Sequence, residues 1–399
     1  MSFQIALSGL NAASTDLQVT SNNIANANTF GFKSSRGEFA DVFSGDSAGI
    51  GNGVRLTDVR QEFTQGNVEI TGRQLDLAIS GNGFFITNDN GSLLYSRVGA
   101  FGLDSDGVVQ NAEGERLQVY QYEPGTGAFN QGALADLVIT AKTAPPVAST
   151  SVDMNINLPG NATAPSIPTF DPNDPLSYNQ STSTVLFDSL GVSHTATYYF
   201  TKTAPGWDVH MSLDGNTVGT GQAFTFNSTG TIATPANGQI TFPTITLTNG
   251  AAPLTVGLNL GNTTQYGTNF AVNNINPDGQ AEGRLRGLEI DQTGVVFARF
   301  SNGQSETLGK IALANFSNPE GLQKVSDTSF QETYRSGVAQ RGEATESNFG
   351  LLQSGALETS NVDLTEQLVR LITAQRLFQA NAQVISTQDT ITQTIINLR

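Results

Sequence analysis

Apolar positions recur every seven residues at the N-terminal end. Phe3, Leu10, Leu17 and Ile24 form one line, and Ala6, Ala13, Thr20 and Ala27 interleave with it at alternating three-four spacing. This is the a/d pattern of a helical seam, with large side chains on one line and small ones on the other. Asn28 and Gly31 then supply a stop signal. Two packings satisfy a line of small residues: close approach of a second helix, or a helix laid on its own domain.

The C-terminal end carries a second helical pattern. Asp363 and Glu366 open it in the manner of a capping box, and it runs to Arg399 without proline or glycine. Leu364, Leu371, Phe378 and Ile385 are seven apart, while Leu377, Val384, Ile391 and Leu398 lie on a neighbouring face. About 36 residues rising 1.5 Å each give a helix of roughly 54 Å, far beyond the average of about 11–12 residues. Two apolar lines let one helix contact two neighbours. An isolated helix is marginal in water, so both termini are expected to draw their stability from association.

Between the helices the period changes from seven to two. From about Gly66 to Tyr122 short alternating runs are punctuated by Asn90-Gly91, Asp106-Gly107 and Glu113-Gly114, which predicts an antiparallel β domain. Ala144-Pro145-Pro146 marks a boundary. Residues 146–279 hold seven acidic residues and one basic one, Lys202, among Thr, Asn, Gly and Ser. Runs such as STVLFD, TATYYF and WDVHMSL predict a second β domain inserted into the first. After Asp278-Gly279 the earlier style resumes. The expected fold is mainly β with long terminal α-helices, nested as follows: 1–30 with 361–399 helical coiled coil, 31–65 with 342–360 linker, 66–145 with 280–341 β domain, and 146–279 inserted β domain.

Composition narrows the function. The formal net charge of −16 disfavours phosphate backbones and anionic lipid, so neither nucleic acid nor a membrane surface is an expected partner. With no cysteine, disulfides, thiolate catalysis and Cys-based zinc sites are excluded. Charged residues make up 14%, against roughly 25% in ordinary soluble domains. No basic residue precedes Lys33 and the start is too polar to span a bilayer, so neither a cleavable signal nor membrane insertion is expected.

No residue set marks a catalytic, cofactor or metal site. His194 and His210, the two histidines, sit in strand-like runs and read as ordinary surface or core residues. Asp104-Ser105-Asp106-Gly107 lacks the glycine and the glutamate of a calcium loop at the required positions and reads as a hairpin turn. Asp171 to Pro175, DPNDP, reads as turns. Gly49 to Val54, GIGNGV, lacks the lysine and helix of a phosphate loop and reads as a flexible segment. No pair of acids stands out for glycoside hydrolysis. An enzyme is not expected.

The stretch SNNIANANTFGFK, Ser21 to Lys33, places Asn22, Asn23, Asn26 and Asn28 off the apolar seam. They read as uncharged hydrogen-bonding contacts on the non-seam faces, or as a frayed helix end, just before a linker that begins with Gly31 and Phe32.

These residues carry a resemblance. SGLNAASTDLQVTSNNIANANTFGFK (Ser8 to Lys33) resembles the N-terminal signature of the bacterial flagellar axial proteins, the rod and hook family. NVDLTEQLVRLITAQRLFQANAQVISTQDTITQTIINL (Asn361 to Leu398) resembles their C-terminal signature. TQGNVEITGRQLDLAISGNGFF (Thr64 to Phe85) and YSRVGAFGLDSDGVVQNAEGERLQVY (Tyr95 to Tyr120) resemble their shared β domain. The length and the large insert are similar to the hook members; distal rod members share the framework without so large an insert. The resemblance implies a flexible, curved helical tube of many copies, a universal joint that transmits torque from rod to filament. It implies that the terminal helices line the export channel as an inner tube, with Phe3, Leu10, Leu17, Ile24 and the two C-terminal lines at subunit contacts. It implies export by the flagellar type III apparatus without a cleaved signal. The implied partners are further copies of itself, a rod protein below, a hook-filament junction protein above, and a cap and the export apparatus during assembly. A distal rod subunit, or an exported adhesin or glycan-active protein using Trp207, are the alternatives.

Overall fold

The computed structural model describes residues 2–43, 51–139, 143–346 and 348–397. The chain divides into two compact units: Met1–Thr140 with Gly287–Arg299 and Ser305–Arg399, and Ala141–Arg286 with Phe300–Gln304. Among the described residues no helix is long and apolar enough to cross a membrane.

The first unit holds both helices, α1 (Ser2–Ala25) and α2 (Leu364–Asn397). α1 has no acid in its first turn and no base in its last, so its macrodipole goes uncompensated and packing must hold it. α2 is capped: the Asp363 carboxylate accepts from the backbone N–H of Thr365 (2.8 Å) and Glu366 (3.2 Å). Glu366 turns instead to Arg370, which donates to it at 2.7 and 3.1 Å, so the expected box is made from its N-cap half. Along α2 the hydroxyls of Thr373, Thr387, Thr390, Thr392 and Thr394 donate to carbonyls four residues back. The polarity of these hydroxyls is spent within the helix.

The β portion of the first unit is antiparallel. Strand Phe84–Asp89 turns at Asn90 (φ 48°) and Gly91 (φ 99°) into Ser92–Ser96, a left-handed pair suited to a two-residue hairpin. Strand Arg116–Glu123 lies between Phe84–Asp89 and Ser305–Ile311 and also pairs with Ala128–Asp136. Phe84, Ile86, Tyr95, Tyr120, Phe316 and Phe330 form one core, with Phe63 edge-on to Phe84 at 5.4 Å. Leu77, Ala78 and Ile79 are all fully buried, so this stretch lacks the solvent face that alternation implies.

Segments from the two ends of the chain interlock here. Val68–Ile70 pairs with Ala356–Glu358, and Leu77–Ser80 with Leu351–Ser354. Residues Ser35–Asp41 and Val54–Gln61 form a hairpin with a bulge at Glu38/Phe39, so the expected linker is partly regular structure. Gly49 and Ile50 of GIGNGV lie outside the described residues.

The second unit is a sandwich of two five-stranded sheets. One is a meander of Gln180–Phe187, Ser193–Lys202, Trp207–Leu213, Asn216–Phe226 and Ile232–Thr234. The other centres on Ser151–Pro159, which pairs in parallel with Gly257–Asn259 and Thr264–Tyr266 and antiparallel with Ala271–Pro277. Trp207, Tyr198, Phe200, Phe224 and Phe242 fill the space between them.

Candidate assembly interface

α1 and α2 meet along the small line. Ala6, Ala13 and Thr20 are buried on α1, and Ala374 and Gln367 on α2. At Gly9 an added Cβ would stand 2.9 Å from Asn381 Oδ1, so a side chain there would require the Asn381 amide to move aside. The large line is left less covered. Phe3 is 50% exposed, and Leu10, Leu17 and Ile24 are half-buried.

α2 divides its two lines in the same way. Leu371, Phe378 and Ile385 are half-buried, whereas Leu364 at its start is exposed. Leu377, Val384 and Ile391 are exposed at 53%, 48% and 47%; Leu398 lies outside the described residues. Leu368, Val369, Ile372, Ile395 and Ile396 are exposed too, apolar positions that the two seven-residue lines did not include. Of these, Leu377, Val384, Ile391 and Ile395 share one helix face, and exposed apolar side chains lined up in this way mark a contact surface.

The asparagines have separate roles. Asn23 is buried at 2% exposure, contrary to its expected place on an outer face. Its Oδ1 accepts from Ser35 N–H at 2.9 Å, and its Nδ2 donates to Ser35 O at 2.8 Å and to Gln367 Oε1 at 3.2 Å. It therefore pins the start of the hairpin to both helices. The reason is geometric: Asn23 is three residues beyond Thr20, on the same helix face. Asn26 belongs to the turn, donating to Asn22 O at 3.0 Å, while Asn22 and Asn28 are exposed. α1 ends at Ala25, so Ala27 lies in that turn.

Gly31 makes the chain reversal. Its φ of +66° is left-handed, and a Cβ would meet Val98 Cγ2 at 2.6 Å. Its N–H donates to Glu358 O at 2.7 Å, and Phe32 beside it is buried. Next comes an ionic cluster the sequence did not reveal. Lys33 Nζ lies 2.7 Å from Glu358 Oε1, both side chains at 0% exposure, and donates to Thr64 O at 2.7 Å. Gly66 N–H donates to Glu358 Oε1 at 2.8 Å, and Arg97 approaches Glu358 Oε2 at 3.4 Å. Burial pushes the Lys33 ammonium below its ordinary value, with Glu358 opposing. Asn361 completes the junction: its Oδ1 accepts from Ser34 N–H at 2.8 Å, and its Nδ2 donates to Glu62 O at 2.7 Å.

The other candidate residues resolve into turns. Asp104 Oδ1 accepts from Asp106 N–H and Val108 N–H, both at 2.8 Å. Asp171 and Asp174 cap their own turns at Asn173 and Leu176. His210 stacks on Phe170 with ring centres 4.0 Å apart. His194 is not the ordinary residue its run suggests, since Asp214 and Asp188 flank its ring. Among the described residues no group of three or more His, Asp or Glu side chains is arranged to hold a metal ion.

Four family models match in order along the chain. They are the flagella basal body rod protein at residues 3–33, the flagellar hook protein FlgE/F/G D1 domain at 78–169, the flagellar basal body protein FlaE D2 domain at 157–280, and the flagellar basal body rod FlgEFG protein C-terminal region at 353–398. The chain is 42% identical to the flagellar hook protein FlgE of Escherichia coli strain K12, over the full length of both. It is 34% identical to that of Borreliella burgdorferi, over 98% of each. In fold it is similar to the crystal structure of the Helicobacter pylori flagellar hook protein FlgE2, with TM-score 0.52 and 16% identity over 73% of this chain and all of that one. Full-length identity at this level, with the terminal and β regions matched in order, shows that the chain belongs to the flagellar hook protein family.

Proposed function

We propose that the chain is a structural subunit of the bacterial flagellar hook, polymerising with copies of itself into a flexible tube. The observation that carries this reading is the exposed apolar strip on α2, together with Phe3 and Leu7 on α1. A chain with only 14% charged residues keeps these side chains on helices whose polar groups are largely satisfied internally. That surface gains by being covered by other copies, at about 25 cal/mol per Å² of apolar area buried. Full-length identity to hook proteins favours the hook over a distal rod subunit.

In this reading residues 1–30 and 361–399 form the inner wall around an export channel, with the large α1 line and the Leu377–Val384–Ile391 line at subunit contacts. The β regions, 66–145 with 280–341 and 146–279, form the outer body, and 31–65 with 342–360 join wall to body. The assembled tube transmits torque from rod to filament and bends as it turns. Its neighbours are a rod protein, a hook-filament junction protein, and, during growth, a cap and the export apparatus that delivers the subunit without a cleaved signal. The function is structural, with no catalytic step or cofactor.

Electron microscopy of the concentrated protein tests the reading. Curved tubes are expected. Straight tubes would favour a rod subunit, and persistent monomers whose melting shifts with an added glycan would favour a binding protein.

A further inference from the structure

His194 is the second residue of strand Ser193–Lys202. Its Nδ1 lies 2.7 Å from Asp214 Oδ2, and its Nε2 lies 3.4 Å from Asp188 Oδ2. A neutral imidazole has one N–H and one bare lone pair. With a carboxylate against each nitrogen, the neutral ring must aim that lone pair at an anion, whereas the imidazolium donates to both.

Asp188 adds to this demand. Its side chain is fully buried at 0% exposure. Oδ1 accepts from Leu190 N–H and Val192 N–H at 2.9 Å each, and Oδ2 accepts from Asn249 Nδ2 at 2.5 Å. A buried carboxylate without a countercharge is costly, and among the described residues no lysine or arginine pairs with it. The groups come from separate parts of the sandwich: Asp188 follows Gln180–Phe187, Asp214 turns between Trp207–Leu213 and Asn216–Phe226, and Asn249 ends segment 243–249. That segment holds no titratable side chain, so the titrating groups facing His194 are the two aspartates. His194, Asp214 and Asn249 border an open cleft of about 600 Å³ lined also by Val192, Leu213, Val218 and Ile245.

We propose that His194, protonated between Asp188 and Asp214, is a pH-sensitive clasp that ties the Asp188 turn, the Asp214 hairpin and segment 243–249 together. Burial opposes the charge on His194, but hydrogen bonds to Asp214 and Asp188 outweigh it and hold the imidazole above its ordinary value of 6.5. The hydrogen bond from His194 holds Asp214 below the ordinary carboxylate value. Burial raises Asp188, yet Asn249, the backbone and His194 outweigh it and hold that carboxyl down as well. The raised histidine contributes fully below its unfolded value, and its contribution is lost as pH rises through the folded one. The lowered carboxylates contribute above their unfolded values and are lost as pH falls through the folded ones. The clasp is strongest between the ordinary carboxylate and imidazole ranges and releases on the alkaline side.

His210 is an internal reference, because burial holds its imidazole below the ordinary value, with Asp208 opposing. The test is an NMR pH titration of full-length protein, isotope-labelled at histidine, with His210→Gln assigning the two rings. His194 is expected to remain more than half protonated at pH 6.5, its midpoint falling in Asp214→Asn. The melting temperature of the second unit should fall between pH 6 and 8, and His194→Gln should abolish that dependence. A His194 midpoint at or below the ordinary value, or one unmoved in Asp214→Asn, overturns the proposal. The second criterion stands even if His194→Gln does not fold.

Discussion

The terminal helices and the inserted sandwich solve the same problem in opposite ways. The sandwich buries Trp207, Tyr198, Phe200 and Phe224 completely between two sheets and ties its turns with side chains such as Asp188 and Asn157. The helices bury alanines and a threonine against each other and leave Phe3, Leu377, Val384 and Ile391 toward the outside. A self-sufficient body spends its large apolar residues within the chain; an assembling element keeps them for another chain. On α2 the threonine hydroxyls are turned back onto the helix's own carbonyls.

The largest break in this contrast is expected from Val384→Asp with Ile391→Asp. Burying two unpaired carboxylates in the proposed subunit contact should abolish polymerisation, read by sedimentation, while melting of the sandwich stays unchanged. In the opposite sense, Trp207→Ala should cost the second unit about 3–5 kcal/mol by leaving a cavity, with little effect on helix content. Glu358→Ala leaves Lys33 and Arg97 buried without their anion. It should destabilise the first unit by about 3–5 kcal/mol, measured by denaturant unfolding. Asn23→Ala removes the pin between helix and hairpin, at about 1–3 kcal/mol for the backbone groups left unpaired. Arg370→Ala loses an exposed i,i+4 pair with Glu366 and should change stability by no more than about 0.5 kcal/mol.

The helices were legible because a seven-residue repeat is local and shows in any window of the chain. The two β regions were legible for the same reason, through alternation and Gly-containing turn pairs. The hairpin Ser35–Asp41 with Val54–Gln61 was missed because Arg36, Glu38, Arg55, Asp58 and Arg60 leave little apolar alternation to read. The parallel pairing of Ser151–Pro159 with Gly257–Asn259 was also hidden, since no local pattern records which distant segment lies alongside. The Lys33–Glu358 pair, 325 residues apart, had no sequence signal at all. Asn23 did have one: its three-residue step from Thr20 puts it on the buried line, a cue overridden by grouping it with its exposed neighbours Asn22 and Asn28.

The central claim is that association, rather than the single chain, holds the terminal helices. Amide hydrogen exchange on residues 2–25 and 364–397, compared between dilute monomer and assembled tubes, tests it directly. The expected result is weak protection in the monomer and strong protection in the tube, with the sandwich equally protected in both. Protection of the helices in the monomer equal to that in the tube would contradict it.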